Sequence, residues 1–482
     1  MSYSDLLNAT FKTKDAELFD VVLTHIKQGA DVNAASKFGE TPLRQVVRRG
    51  RMDVAQLLLD HGAELGQLNW GPLHCAVAFG DAQAVSDALA QDDADARDAY
   101  TYTPYLRAVQ MGAIDKAEIL RPVTSVDARY LLARRDARRL SSALTVAAGA
   151  DQAGMAQWLL DMGEDVNEAA EFGRTALIEA AAMNNPDVVA VLLKAGADLT
   201  AAHNVSASLQ SANPNYKSYS GKPTLQTAMS EAQSPEVVKM LIGAGAALSD
   251  FREEVIAQLV GADRIAPQTI TPAQFADQMR PRFGTTNPQK VDLALWVEAI
   301  RTRKSGYGLR KSLGDGNSDP GPVWSHQRYG MSTTGLPDGR WVQIAGEHED
   351  FYDPDFCIYS DVFLFDGAGG VEIYIYPEDI FPPTDFHSAT YVDDAIILIG
   401  SLSYVDRRQA GICQVLRLDL GDFSVAPVET TGPSPGWISR HDARLENGAI
   451  RVSGGEVWTG ETFEPNADRF ELSLSGWTWR KL

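Results

Sequence analysis

Cysteine is scarce: Cys75, Cys357 and Cys413 are all that 482 residues contain. Three scattered thiols exclude a disulfide framework and a cysteine-based zinc site, and they read as small core residues. Nowhere do about 18 apolar residues run together, so no membrane-spanning helix is expected. The opening residues MSYSDLLNATFKTKDAELFD lack the apolar core of a secretory signal, which places the chain in the cytoplasm as an expectation. Basic residues are in deficit, 43 Lys and Arg against 64 Asp and Glu, giving a formal charge of −21. Such a surface repels phosphate backbones and anionic lipid, so neither nucleic acid nor membrane is an expected partner. Phosphate-cradling G-x-x-x-x-G-K, H-E-x-x-H, EF-hand and C-x-x-C strings are all missing, so no cofactor or metal is expected. One catalytic-looking string, Gly432 to Gly436 (GPSPG), fails on chemistry. A nucleophile elbow needs an N–H on the residue after serine, and Pro435 has none.

What the chain has instead is repetition. An opening phrase recurs as TPLR from Thr41, GPLH from Gly71, TPYL from Thr103, SALT from Ser142, TALI from Thr175 and PTLQ from Pro223. A closing phrase recurs as KQGADV, DHGAEL, DMGEDV, KAGADL and GAGAAL. The second residues of the openings fall at 42, 72, 104, 143, 176 and 224, at steps scattered around about 33 residues. In one unit Thr41 and Pro42 cap and open a helix carrying Leu43, Val46 and Val47. A second helix then carries Val54, Leu57 and Leu58, and Gly62 stops it. One such helix pair cannot bury its own apolar stripe, so the units must stack. These residues resemble ankyrin repeats, about seven units over residues 4 to 260 with degenerate ends. An insertion, His203 to Lys222, is placed on a loop.

A helical stretch follows. Asn287 and Pro288 read as an N-cap and first turn, with Leu293, Trp296, Val297 and Ile300 as a stripe expected to dock on the end of the solenoid. Gly314 to Pro322 is turn-forming throughout and marks a boundary. From Gln327 the period turns to alternation, in GRWVQIAG, DVFLFD, VEIYIYP, AIILIG, CQVLRLDL and AIRVSGG, which predicts strands. Three sets recur, each a strand, a turn and a strand ending in glycine at Gly346, Gly400 or the pair Gly454–Gly455. They resemble kelch repeats. The resemblance implies a partial propeller, since propellers close with about 4 to 8 blades. The fold class expected is therefore multidomain α + β: an ankyrin α-solenoid (1–262), a helical connector (263–322) and an all-β kelch-like domain (323–482).

Candidate site residues follow from these repeats. Phe38, Tyr100 and Phe172 each stand four residues before the second position of an opening phrase, hence on successive hairpin tips, with Trp70 nearby. Aromatics at such tips anchor protein ligands or pack on the adjacent repeat. Tyr216 and Tyr219 on the insertion extend that surface if it folds over. In the β domain His348, Glu349, Asp350, Asp353, Asp355, Asp385, His387, His441 and Asp442 concentrate imidazole and carboxylate. If the loops converge, these bind a metal or supply a base. The competing reading makes His387 and His441, at one repeat position, structural ties between strands, as kelch-like blades use them. The two resemblances imply a non-enzymatic adaptor or inhibitor that binds another protein, and the charge favours a basic one. The rivals are an enzyme or carbohydrate-binding protein acting through the β-domain loops, and an oligomeric scaffold.

Overall fold

The computed structural model describes residues 5–132, 139–212, 224–246, 248–313, 321–349 and 356–482. The chain divides into two compact units, Met1–Val255 and Ile256–Leu482.

The first unit is a series of antiparallel helix pairs. Successive first helices are Asp5–Lys12, Pro42–Arg48, Pro72–Phe79, Pro104–Gln110, Ala143–Gly149, Ala176–Met183 and Ala228–Glu231. The caps explain the recurring Thr or Ser. The hydroxyls of Thr41, Thr103, Ser142, Thr175 and Thr227 each accept the backbone N–H three residues on, satisfying a donor that the first helical turn leaves open. The TPYL and SALT openings thus cap as well as TPLR does. PTLQ is different: Leu225–Gln226 pairs with His203–Asn204 as a short strand, and the helix opens three residues later behind Thr227. Thr227 and Ser230 form a reciprocal capping box, a stronger start signal than the proline.

Each pair leans on the next. Leu18 and Val22 of one pair join Leu43, Val46, Val47, Val54 and Leu58 of the following one in a single core that reaches Leu68 and Ala78. Polar clamps fix the spacing. Asn33 donates to the carbonyl of Gly62 at 2.9 Å and accepts from the N–H of Glu64 at 2.9 Å. Asn167 repeats this with Gly196 and Asp198. Beneath the middle loops lies a buried ion pair. Arg107 donates to Asp98 Oδ2 through Nε (2.8 Å) and Nη2 (2.6 Å), and to the Val47 carbonyl and Gln110 through Nη1. Both side chains are essentially inaccessible.

The second unit is a β stack covered by helices at one end. Its first sheet runs, in spatial order, 289–291, 371–375, 362–365, 341–344 and 332–335. The second sheet is 388–392, 395–399, 415–419 and 425–427, and the third 442–446, 449–453, 469–473 and 478–481. Every pairing within them is antiparallel. The second sheet is covered on both faces. Ile396 and Leu398 pack with Val342, Ile344, Val362 and Leu364 of the first sheet, while Ile397 and Ile399 pack with Ile450, Val452 and Leu472 of the third. That double cover is why the strand Ala395–Ile399 reads as an unbroken apolar run.

The two outer faces end differently. On the first sheet Phe363, Phe365, Ile373 and Ile375 meet a layer in which helical Trp296 and Trp324 of the irregular segment 322–325 stack their rings at 4.3 Å. On the third sheet the outward row is Arg444, Arg451, Glu471 and Arg480, with Arg451 and Arg480 both paired to Glu471. No apolar face is left there for another sheet. The helix Ala294–Thr302 therefore packs into the core of this unit, and its neighbours there include Phe363 and Trp324. Asn287 does not cap it. Its side-chain amide donates to the carbonyl of Val425 (2.8 Å) and accepts from that residue's N–H (2.9 Å), closing the edge of the second sheet. Gln289–Val291 then forms the edge strand of the first sheet, and the helix starts after Leu293.

Replacing Arg107 by Met leaves Asp98 charged and buried without its partner. The expected cost is about 3–5 kcal/mol of stability, read from urea denaturation. The R107M/D98N double variant should recover part of it, and equal losses in single and double variants would place the stability elsewhere.

Candidate functional site

Two sets of residues present chemistry, one in each unit. In the first, the loop tips differ in how far the fold uses their aromatics. Phe38 is 75% exposed, with Lys37 Nζ 4.8 Å from its ring centre, and makes no packing into the core. Trp70 is half-buried: its ring stacks on His74, its edge meets Phe79, and its N–H donates to Asp98 at 3.1 Å. Tyr100 is likewise drawn in. Its hydroxyl bonds the Arg44 carbonyl (3.1 Å) and Glu40 (3.3 Å), under the Arg44 guanidinium. Burial, then the charge of Glu40, pushes its phenol above its ordinary value. Phe172 is half-buried in a left-handed backbone conformation (φ 68°), next to Gly173 at φ 87°. Tyr216 and Tyr219 lie outside the described residues, as do Asp350, Asp353 and Asp355.

In the second unit the glycines Gly400 and Gly455, which follow the strands 395–399 and 449–453, both lie against the strand Trp437–Ser439. A Cβ on Gly400 would lie 2.1 Å from the Ile438 carbonyl, and one on Gly455 2.3 Å from that of Ser439. Only glycine admits so close a backbone. Beside these close contacts sit the histidines. His387, just before the second sheet, bonds Ser332, on the edge strand 332–335 of the first, through Nε2 (2.8 Å). His441, just before the third sheet, bonds Ser388 at the start of the second (2.9 Å). Each imidazole thus ties the entry to one sheet to an edge strand of the previous one. His348 has a different kind of partner, its Nδ1 donating to the Gln327 carbonyl at 2.8 Å. A further imidazole, His326, bonds Gln343 at 3.0 Å, edge-on to Phe363. Glu349 is exposed, and so is Asp442, on the third sheet's outer face. Among the described residues no three His, Cys, Asp or Glu gather as a metal site.

Asp385 is the exception, because it meets another carboxyl group. It is fully buried; Oδ1 accepts from the Ser403 N–H (2.7 Å) and the Ser401 hydroxyl (3.2 Å). Its other neighbour is Glu347, and burial followed by the Asp385 charge raises the Glu347 carboxyl well above its ordinary value. Arg440 and Arg408 act on this pair electrostatically. The sequence reading reached Asp385 but missed Glu347. The signal was present: Glu347 follows Gly346 as Ser401 follows Gly400 and Glu456 follows Gly455.

Comparison with known proteins bears on the first unit. A family model described as ankyrin repeats, in three copies, matches residues 7–86 and 123–203. Neurogenic locus notch homolog protein 1 of Xenopus laevis is 33% identical over 183 residues, covering 37% of this chain and 6% of that protein. Neurogenic locus notch homolog protein 2 of Homo sapiens is 32% identical over 199 residues, covering 40% and 6%. The matched stretch is thus a small fraction of each relative's length. Among solved structures, the human ASB11 ankyrin repeat domain aligns at 22% identity and a TM-score of 0.28, covering 51% of this chain and 99% of that one. The N-terminal helix pairs are ankyrin repeats, followed by a β-rich region of several open sheets. Among the described residues no helix is long and apolar enough to cross a membrane.

The buried imidazoles set a pH response. Burial lowers His326 and His387 to about 3 and His441 to about 4, against about 6.5 in the unfolded chain. As pH falls below about 6.5 the unfolded state takes up protons first, so the stability held above that pH is lost toward pH 4. His441→Gln keeps a bond to Ser388 without titrating. Its urea midpoint should fall less steeply than the parent's between pH 6.5 and 4; parallel slopes would show that His441 is protonated in the folded state.

Proposed function

From a first unit built of ankyrin repeats, we propose that this chain is a non-enzymatic adaptor or inhibitor that binds another protein through its loop tips. The observation that carries this reading is Phe38. A large apolar ring 75% exposed at a repeat tip, with no use in the fold, is what a binding anchor looks like before its partner arrives. Trp70 and Tyr100 serve a second role in this reading: they stiffen the loops between which a partner sits. The formal charge of −21 favours a basic partner and speeds the encounter with one.

The β-rich unit is read here as an open kelch-like array and a second platform. Support comes from the three glycine-terminated strand pairs and the His–Ser ties repeated between sheets. An enzyme or carbohydrate-binding reading needs the histidines to converge on one pocket, whereas His387, His441 and His348 each bond a different residue, Ser332, Ser388 and Gln327. A scaffold that polymerises through the sheets needs an apolar outer face, and the third sheet offers Arg444, Arg451, Glu471 and Arg480.

The test is affinity capture with the whole chain, repeated with Phe38→Ala and with Tyr100→Phe. Phe38→Ala should lower recovery of a stoichiometric partner at least tenfold and leave the melting temperature unchanged, since the ring is already in water. Tyr100→Phe should lower stability and keep the partner. A partner retained by Phe38→Ala would remove the tip from the binding surface.

A further inference from the structure

The links that join each sheet of the second unit to the next recur at equivalent positions. Strand register makes Ser332, Ser388 and Asp442 equivalent, for they lie opposite Ile344, Ile399 and Ser453, the last residues of the neighbouring strands. Two residues earlier the backbone forms a ladder: the Gly330 carbonyl accepts the Phe386 N–H (3.0 Å), and the Phe386 carbonyl accepts the Arg440 N–H (2.9 Å). A second ladder runs from the Gly346 N–H to the Thr384 carbonyl (2.9 Å) and from the Ser401 N–H to the Ile438 carbonyl (3.0 Å). The side-chain tie of His387 to Ser332 repeats as that of His441 to Ser388.

At the third sheet the same positions stand open. Among the described residues no backbone group bonds the Arg440 carbonyl or the Gly455 N–H, the next rungs of the two ladders. Gly454 stands where Gly400 stands, yet a Cβ there would meet nothing within 4 Å, whereas at Gly400 it would meet the Ile438 carbonyl at 2.1 Å. Ser401 is fully buried, and its equivalent Gly455 is only half-buried. Asp442, in the place of the two tied serines, is exposed and lines a hollow of about 230 Å³ with Arg444, Glu446, Arg451 and Arg469. Arg444 lies directly across from Arg451, a like-charge pairing that costs stability. Arg451 pairs with Glu446 and Glu471, while Arg444 has no ion pair among the described residues. Open backbone donors and acceptors beside a sheet are where a further strand adds.

We infer that this end of the array receives an extended segment of a partner protein, lying where a fourth repeat would begin. A backbone N–H of the segment meets the Arg440 carbonyl, the next side chain is a cation on Asp442, and an acidic side chain two residues further on meets Arg444. The spacing is that of the second sheet, where His387 is followed at the same alternation by Ala389 and Tyr391, both packed against the core shared with the first sheet. Charge selects the segment. Asp442 replaces a neutral hydroxyl with a carboxylate, which favours a charged donor, and the crowded guanidinium of Arg444 calls for a carboxylate. A second copy of this chain does not fit: its first sheet has Met331 at the histidine position, and its outer face is already covered by the layer that holds Trp296 and Trp324. This deepens the reading of the β-rich unit as a second platform and rests on it.

The experiment is fluorescence anisotropy of the whole chain, at low ionic strength, with three labelled peptides: Val-Phe-Lys-Thr-Glu-Val, its charge-swapped form Val-Phe-Glu-Thr-Lys-Val, and the first peptide N-methylated at phenylalanine. The first should bind, the swapped form about tenfold more weakly because two attractions become two repulsions. The N-methylated form, which lacks the N–H for the Arg440 carbonyl, should bind about fivefold more weakly. The double variant Asp442→Lys/Arg444→Glu changes two exposed side chains, is expected to fold, and should reverse the order of the first two peptides. No binding of the first peptide, equal binding of the swapped or N-methylated form, or a folded double variant that keeps the parent's preference overturns the inference. So does light scattering that shows a dimer abolished in the double variant, which would assign this end to a second copy. A Phe38-dependent partner together with no peptide binding would sink this inference alone; peptide binding with no Phe38 dependence would sink the tip surface alone.

Discussion

A guanidinium taken out of water must have every donor satisfied, and each unit of this protein is organised around meeting that demand once. In the ankyrin unit Arg107 gathers Asp98, the Val47 carbonyl and Gln110, so that three segments of the array are held by one side chain. In the β-rich unit Arg328 pairs with Asp361, donates to the carbonyls of Ser325 (2.7 Å) and Ala345 (3.0 Å), and lies 3.4 Å from the centre of the Tyr359 ring. Asp361 also accepts the Trp324 indole N–H at 2.8 Å, which orients the ring that stacks on Trp296. Such pairs add little net energy against well-packed apolar groups. Their directional bonds nevertheless penalise any arrangement that misplaces one partner.

The first unit was largely legible because ankyrin grammar is local. A hydroxyl before a helix, an apolar stripe and a glycine stop are read within about a dozen residues, and Thr103 and Ser142 cap as the pattern implies. The PTLQ phrase misled because a cap and a strand pair compete for the same few residues, and the distant strand His203–Asn204 decided the outcome. Asn287 failed for the same kind of reason: its partner, Val425, lies 138 residues away. The strands of the β region were visible as alternation, but their division into sheets with different ends depends on which faces meet. Of the site residues, His387 and His441 share a repeat position and share a bonding role. Glu347 shares its place after a repeat glycine with Ser401 and Glu456, but that repeat position says nothing of burial or of the neighbour Asp385, 38 residues on, that gives the carboxyl its character.

The two units use their polar residues in opposite manners. The ankyrin repeats spend Asn33 and Asn167 on clamping adjacent loops, which leaves an apolar ring such as Phe38 as the unspent feature of the surface. In the β-rich region the apolar residues are consumed by stacking, and what is left over is polar: an oxygen of Asp385 at the sheet crossings and a charged row on the last sheet.

The strand Ala395–Ile399 is buried along its whole length. Apart from its neighbours, the second sheet would show water an apolar surface on both sides, the kind of exposed strand that pairs with other chains. It cannot persist alone as a folding intermediate without that hazard. A truncation that removes either outer sheet would therefore uncover one face of this buried strand and make it an aggregation-prone segment.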